Sequence, residues 1–549
     1  MKFTDVLAKI LKKNNITQVF GLQGGAVVHI FDSLERYKIN VEYTHHESTA
    51  SFAAASYAKS SRKIGCAVVT TGPGCTNALT GLMGAWQDSV PCIFISGQVR
   101  SNHMSYGKKV RQVGTQEVNI IDIVKPITKY ACIIKSEKNL IKELHKSIKI
   151  AISGRPGPVW IDIPLEFQWS NVNLKKGDIY KVEPKLGPKF KDEKYKSLIR
   201  MIKKSENPIF VIGYGTYLSH VEKKVKRFIK KNDFRVVSTW MTSGLFGSLS
   251  KYNLGIIGMS GQAGANKAIF NSDLIVCLGC HLAIPHTTTL TESYAPNAKK
   301  VFINIDENQL KNLNIKSHLN IHADLRHVID KLLPLNFNKK KYNKIDTFQR
   351  LNVKTNIQNS NYVNSNYFFQ KLTKATSNKD ALVIDGGGTA LYTGFQSASL
   401  SENQDIFCST AISSMGTGLA ETVGVFKSKK YRKIYTIIGD GSMLMNIQDL
   451  QTIYDLNIPV VIIVVNNNGY LAIRHTQQSF LANRLYGTHP KWKLGIVNFK
   501  NAAKAFKIDY IKLNDPKNIN SIIKKILIKK RPTICEIITD ENQPNLFSF

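Results

Sequence analysis

The sequence predicts an α/β protein of three doubly wound parallel-sheet domains, and three observations carry that prediction. Short apolar, β-branched runs such as 208–212, 434–438 and 459–465 read as strands buried on both faces. Between them lie segments with apolar residues at helical spacing, as in Ile447, Leu450, Ile453 and Tyr454. At 549 residues the chain is too long for one core, and two lysine-rich connectors, 171–194 and 336–360, divide it. The expected domains are 1–170, 190–335 and 360–549.

In the first domain, strands are expected at 18–21, 41–44, 65–70, 92–96 and 159–163, with helices opening near 27, 48 and 76. Ahead of them, Val6, Leu7, Ile10 and Leu11 share one helical face and lysines the other. That stretch lacks the apolar core of a signal peptide, so it is expected to be the first domain helix of a cytoplasmic protein. The second domain is expected to hold strands 208–212, 235–238, 274–278 and 301–305. The third holds 381–384 and the pair 434–438 and 459–465. Three domains of similar size suggest an old duplication.

Composition narrows the function classes. Apolar residues make up 43% of the chain and charged residues 21%, which is globular, and no apolar run approaches the roughly 20 residues that span a bilayer. The formal net charge of +36 raises nucleic-acid or membrane binding. Its lysines are spread over helical surfaces and connectors without an arginine-rich, aromatic-interleaved patch, so neither partner is expected. Attraction for anionic substrates, diphosphates or nucleotide sugars, uses the same field. The eight cysteines are scattered through apolar patterns, as buried thiols are. Cys277 and Cys280 form a CxxC without the second pair that zinc would need.

The strongest motif is Gly439-Asp440-Gly441-Ser442, followed after a helix by Asn466-Asn467-Asn468-Gly469-Tyr470. Flanked by strands 434–438 and 459–465, this is a βαβ unit. Its right-handed crossover brings Asp440 and Asn467 to the same carboxyl edge of the sheet. Asp440 offers a carboxylate oxygen, Asn467 an amide oxygen and the Gly469 loop a backbone carbonyl, while Gly441 and Ser442 open a helix N-terminus. That set suits Mg²⁺ bridging a diphosphate. Read separately, the halves are a capped turn and a polar loop.

A second constellation lies at His45-His46-Glu47, between a strand and an alanine-rich helix. A carboxylate there can simply stabilise the helix N-terminus by about 0.3 to 1 kcal/mol. Ala53, Ala54, Ala55 and Ala58 suggest close packing that buries Glu47, and burial favours a carboxyl's neutral form.

The whole chain resembles the acetolactate synthase group of thiamin diphosphate-dependent 2-keto acid decarboxylases and carboligases. The resemblance rests on Phe20 to Ala26, His46-Glu47, Thr71-Gly72-Pro73-Gly74-Cys75-Thr76-Asn77, Asp88-Ser89-Val90-Pro91, Gly97-Gln98-Val99, Gln116-Glu117, Gly154 to Val159, Ser414-Met415-Gly416 and Gly439 to Ser442. It implies thiamin diphosphate and Mg²⁺ as cofactors. It makes Glu47 the group that drives the aminopyrimidine tautomer removing the cofactor's C2 proton. Pro73 and Asn77 would line the pyrimidine pocket, with Gly25 and Gln116 near the reacting carbons. Met415 would bend the cofactor, and the Ser413 carbonyl would hold its 4′-amino group. Gly387, Gly388 and Thr389 would form a second diphosphate loop beside Gly441 and Ser442, and Asp440, Asn467 and the Gly469 carbonyl would bind the metal. The family implies a homodimer or homotetramer with active sites at the subunit interface.

Departures bear on the substrate. Acetolactate synthases proper place a Phe before the glutamine matching Gln116 and a Trp after the metal-binding asparagines. Here Thr115 and the run 469–477 stand instead. Gly24-Gly25 followed by His29, Arg155 to Pro164 with Trp160, and Asn468-Gly469-Tyr470 leading to Ile473-Arg474 and Thr476-Gln477 resemble synthase-like proteins of bacterial surface-sugar biosynthesis. This implies a nucleotide-linked keto sugar as acceptor, with His29 near it and Arg474 or His475 meeting its phosphates. The expected reaction is decarboxylation of a pyruvate-like 2-keto acid with transfer of the acyl-anion equivalent. Acetolactate synthesis and simple decarboxylation are the alternatives. FAD is a further expectation for the middle domain, at Gly213, Gly215, Asp306 and Asp324, although His281 replaces the family's phosphate-pairing Arg.

Overall fold

The computed structural model describes residues 1–287, 291–340, 342 and 361–544. They form three six-stranded sheets with flanking helices, and every strand pairing resolved between neighbours is parallel. The three doubly wound α/β sheets are thus present. Most of the connector expected at 336–360 lies outside the described residues.

The chain packs as two compact units. The first comprises Met1–Lys185, Phe407–Tyr431 and Met445–Ile458, and the second Leu186–Ile406, Arg432–Leu444 and Pro459–Phe549. No local pattern signals that two segments from the last third of the chain belong to the first unit.

In the first sheet the strand order is Asn40–Tyr43, Gln18–Gly21, Gly65–Val69, Cys92–Gln98, Val159–Pro164 and Tyr130–Ile133. Its core includes the N-terminal helix Phe3–Lys13, whose Val6, Leu7, Ile10 and Leu11 are fully buried as their spacing predicts. The helix Glu47–Ser61 is buried along nearly its whole length. Three glycines let backbone approach it. A Cβ on Gly65 would sit 2.2 Å from the Ala54 carbonyl, one on Gly81 2.1 Å from Ser51 Oγ, and one on Gly424 2.1 Å from the Ala53 carbonyl. Small residues on both sides make this approach possible.

The middle sheet runs Leu319–His322, Lys299–Asn304, Leu274–Leu278, Pro208–Ile212, Arg235–Ser238 and Asn253–Ile256. The third runs Ile406–Phe407, Asp380–Ile384, Lys433–Gly439, Val460–Asn466, Thr533–Ile538 and Asp509–Leu513. Numbered within each sheet, the first and third share the order 2-1-3-4-6-5, whereas the middle has 6-5-4-1-2-3. Any duplication legible in the topology therefore relates the outer two. Most strands missing from the sequence reading are edges, such as Leu319–His322 and Asp509–Leu513. Their inward and outward residues alternate, so they lack the continuous apolar run of a central strand.

Candidate functional site

Doubly wound sheets bind ligands where the strand order reverses, outside the carboxyl ends of the strands. In the first sheet that point lies between Gln18–Gly21 and Gly65–Val69. The loop after the second of these is Thr70 to Pro73, and the helix Pro73–Asn77 follows. Here the structure brings Glu47 and Asn77 together. Asn77 Nδ2 donates to Glu47 Oε2 at 3.0 Å, and the glutamate is only 7% exposed. It opens its helix, with His46 as N-cap accepting from the Ser48 N–H at 3.1 Å. One oxygen anchored by Asn77 at a buried helix start fixes where this carboxyl stands.

Gln116 reaches the same loop. Its backbone carbonyl accepts from Thr71 Oγ1 at 3.1 Å, and its φ of 61° is left-handed. A Cβ on Gly72 would sit 2.6 Å from that carbonyl, so glycine is required there. Pro73 is exposed at the first position of the helix Pro73–Asn77. Gly25 is exposed too, and a Cβ on it would meet nothing within 4 Å, which leaves open space beside it. A buried polar chain that the sequence reading left without a role braces the loop from below. Thr71 Oγ1 donates to Gln98 Oε1 at 2.9 Å, and Gln98 Nε2 donates to Asp162 Oδ2 at 3.0 Å. Burial pushes the Asp162 carboxyl up to about 7, against the hydrogen bonds from Ser96 and Gln98.

His29 stands apart from this cluster. Its ring meets the Trp169 ring edge-on at 5.4 Å, and Nδ1 lies 3.4 Å from Lys2 Nζ. These contacts set its half-buried ring on the first turn of the helix Val28–Arg36.

In the third sheet the order reverses between Asp380–Ile384 and Lys433–Gly439. Asp440, 2% exposed, accepts from three backbone N–H groups: Gly441 at 2.7 Å, Asn467 at 2.9 Å and Gly469 at 2.8 Å. Burial still raises this carboxyl above the usual range. Asn467 is 4% exposed and donates from Nδ2 to Thr389 Oγ1 at 3.3 Å, which fixes the amide's orientation. Its Oδ1 has no partner among the described residues. A buried amide oxygen without a donor carries a desolvation penalty, and a cation would remove it.

The donors present fit Mg²⁺: one carboxylate, one amide oxygen and a loop of backbone carbonyls are hard oxygen ligands. No cluster of three or more His, Cys, Asp or Glu exists among the described residues, in keeping with a set that has a single carboxylate. Beside it the helix Gly388–Ser397 begins at Gly388, with φ of 62° and nothing within 4 Å of a Cβ position. Gly387 is its N-cap and Thr389 its second residue. Gly441 must be glycine for another reason, since a Cβ there would lie 2.9 Å from Cζ of Tyr470. Ser442 is buried one residue further on.

Arg474 is enclosed by the same loop. It is 2% exposed, and its guanidinium donates to the carbonyls of Asn467 at 2.7 Å, Asn468 at 3.1 Å, Thr488 at 3.3 Å and Glu541 at 2.9 Å, and also to that of Gly469. A fork of donors engaged in this way supports the loop from behind and is withheld from any acceptor phosphate. Asp440 takes the N–H groups of Asn467 and Gly469 and Arg474 donates to their carbonyls, while the buried Asn467 amide oxygen receives no donor among the described residues.

Ser413 and Met415 lie in the first unit, on the turn before the helix Thr417–Lys427. Ser413 is exposed with φ of 49°, and Met415 is half-buried, which is unlike a core methionine. An acid missed by the sequence reading also sits in this unit. Asp449 accepts from Thr49 Oγ1 at 2.7 Å, and burial raises it to about 7.

The expected flavin contacts of the middle domain are otherwise engaged. The Gly213 N–H donates to the Leu278 carbonyl at 3.0 Å and the Gly215 N–H to the Gly279 carbonyl at 2.9 Å. A Cβ on Gly213 would stand 2.3 Å from that of Cys280. Asp306 caps the helix Glu307–Lys311, and Asp324 is buried against Arg326 and the Gly187 N–H. The bonds at Gly213 and Gly215 close the backbone between the two strand ends. No helix among the described residues is long and apolar enough to cross a membrane.

Comparison with known proteins agrees with this geometry. Residues 1–123 match the N-terminal TPP binding domain of thiamine pyrophosphate enzymes, 195–332 the central domain and 386–537 the C-terminal TPP binding domain. The chain is 28% identical to the acetolactate synthase large subunit of Haemophilus influenzae, across 98% of this chain and 94% of that protein. Against the acetolactate synthase large subunit of Lactococcus lactis it is 27% identical, across 98% and 93%. With the chloroplastic acetolactate synthase 2 of Nicotiana tabacum the identity is 28%, across 99% and 82%.

Proposed function

The chain belongs to the thiamine pyrophosphate enzymes, in the acetolactate synthase group, and on that premise we propose that it decarboxylates a pyruvate-like 2-keto acid and joins the acyl-anion equivalent to a carbonyl acceptor. The observation that carries this reading is the pair of prepared half-sites: Glu47 anchored by Asn77, and the Asp440 loop with the unpartnered Asn467 oxygen.

Thiamin diphosphate, if bound here, would supply the nucleophilic carbon and the electron sink that decarboxylation of a 2-keto acid needs. Glu47 holds and returns a proton at the pyrimidine N1′, with Asn77 fixing its orientation and Pro73 beside it. Asp440, Asn467 Oδ1 and the Gly469 carbonyl would hold Mg²⁺, and Gly387, Gly388, Thr389, Gly441 and Ser442 would surround the diphosphate. The Ser413 carbonyl would accept from the 4′-amino group, and Met415 would pack against the cofactor. Gly25 and Gln116 face the reacting carbons.

For the acceptor, the named relatives favour a second keto acid, as in acetolactate synthesis. The absence of the two aromatic residues, with Thr115 and the run 469–477 in their place, favours a larger and more polar carbonyl compound, and a nucleotide-linked keto sugar is the first class to test. With Arg474 engaged by carbonyls, recognition of such an acceptor falls to other residues. The middle domain is proposed to work without a flavin. Mass spectrometry of products from 2-keto acids offered with and without keto-sugar acceptors tests the assignment. A joined product supports transfer, acetolactate alone supports the synthase alternative, and aldehyde alone supports simple decarboxylation. No CO₂ release from any 2-keto acid contradicts all three.

We propose a homodimer whose active sites lie at the interface, in the cytoplasm. Mixing Glu47→Gln with Asp440→Asn chains should then restore about a quarter of wild-type turnover, because half of randomly paired dimers are mixed and each holds one intact site. No recovery on mixing would place both half-sites of each cofactor on one chain.

A further inference from the structure

The motif Asp88-Ser89-Val90-Pro91 carries part of the family resemblance, yet nothing in the proposed chemistry uses it. Asp88 follows the helix Leu79–Gln87, and its side chain is only 6% exposed. Its Oδ2 accepts from Lys59 Nζ at 2.8 Å and from the Thr410 N–H at 3.2 Å. Its Oδ1 accepts from Thr410 Oγ1 at 2.8 Å and from the Ala411 N–H at 3.1 Å. Lys59 adds a second tie, donating to the Cys408 carbonyl at 2.8 Å. All of these residues lie in the first compact unit.

The segment so held is the turn that leads to Ser413 and Met415. It closes on itself through the Ser413 N–H on the Ser409 carbonyl at 3.1 Å and Ser413 Oγ on the Thr410 carbonyl at 2.8 Å. Two consecutive N–H groups at the start of such a turn need an acceptor, as at the start of a helix. Asp88 provides it from a residue more than three hundred positions earlier. At the far end, Asn446 Nδ2 donates to the Gly416 carbonyl at 2.7 Å. Between these anchors Ser413 and Gly416 both hold left-handed φ values, 49° and 82°. The turn is exposed at Ala411 and Ser413, with Ile412 half-buried between them beside Gly84, and its polar groups are tied at both ends.

We propose that Asp88 is a positioning residue for the cofactor: with Lys59 it caps the Thr410–Ser413 turn and so sets where the Ser413 carbonyl and Met415 stand. The proposal rests on the reading that Ser413 and Met415 contact thiamin diphosphate. A bland alternative is that Asp88 only neutralises the buried Lys59. The two differ in what moves when Asp88 changes. An asparagine keeps the volume and one oxygen, but its NH₂ group cannot accept from Lys59 or the Thr410 N–H.

The test begins without cofactor. Amide exchange of residues 408–416 in Asp88→Asn should rise at least tenfold over wild type, while that of strand Gly65–Val69 stays unchanged. Thiamin diphosphate affinity in Mg²⁺, read by fluorescence quenching, should fall at least tenfold. Combining Asp88→Asn with Met415→Ala should cost clearly less than the product of the two single losses, because both act on one loop. If Asp88→Asn does not fold, Thr410→Val removes one bond of the same cap and leaves the ion pair. It should raise exchange of the segment and weaken the cofactor by about threefold. Unchanged exchange at 408–416, or a lower melting temperature with cofactor affinity within twofold of wild type, overturns the proposal. Met415→Ala with unaltered cofactor affinity and turnover overturns instead the reading of Met415, whatever the exchange result.

Discussion

Two switch points in the second compact unit start from the same geometry and end differently. In the third sheet, the strands Asp380–Ile384 and Lys433–Gly439 diverge into loops that keep an open glycine, Gly388, and an unpartnered buried acceptor, Asn467 Oδ1. In the middle sheet, Pro208–Ile212 and Leu274–Leu278 diverge into glycines packed backbone to backbone, with their N–H groups already bonded. Glycine at a strand end is thus compatible with a binding cradle or with a closed seam. What distinguishes them is whether the glycine backbones pack against each other or leave open space beside an unpartnered buried acceptor.

The largest effect is expected at the open switch point. Asp440→Asn cannot accept all three loop N–H groups or supply a full negative charge, and Mg²⁺-dependent turnover should drop by about 100-fold or more. Turnover within threefold of wild type would dissolve the contrast between the two switch points. Next comes Arg474→Met, which strips the donor from the carbonyls of Asn467, Asn468 and Gly469. Denaturant unfolding should show a loss of roughly 2–4 kcal/mol, with metal affinity weakened about 10-fold. Lysine at this position should rescue little, since it lacks the planar fork.

At the closed switch point, Gly215→Ala forces a methyl to within 2.7 Å of the Gly279 carbonyl. A stability loss of about 1–3 kcal/mol is expected with cofactor affinity unchanged, and added FAD should show no saturable spectral change. Saturable FAD binding would reopen the seam as a site. The smallest effect should come from Gly388→Ala, where nothing obstructs the methyl but φ is 62°. Strain there costs roughly 1 kcal/mol, and the expected signature is weakened diphosphate binding with near-normal folding.

Much of the open site was legible because its parts lie close in sequence. A strand, Asp440, a helix and Asn467 form one βαβ unit whose chirality places both residues on the same edge. Glu47 and Asn77 were legible through their motifs. Arg474 was not, because its spacing on the helix Leu471–Phe480 does not reveal that five carbonyls surround it. Gly213 and Gly215 present the same pattern in either state, and only the partner strand's Gly279 and Cys280 decide between cradle and seam. Asp88 and Thr410 meet across most of the chain, beyond the reach of any local period. The edge strands were lost because runs of two to five residues, whether alternating or not, give a weak periodic signal.

The most direct measurement is a calorimetric titration of thiamin diphosphate into the full chain, with Mg²⁺ and then with EDTA in its place. Saturable binding at one cofactor per chain that requires Mg²⁺, and that Asn467→Ala abolishes in an otherwise folded protein, is the predicted result. Binding of equal strength without the metal, or undiminished by Asn467→Ala, would contradict the role assigned to the unpartnered amide oxygen.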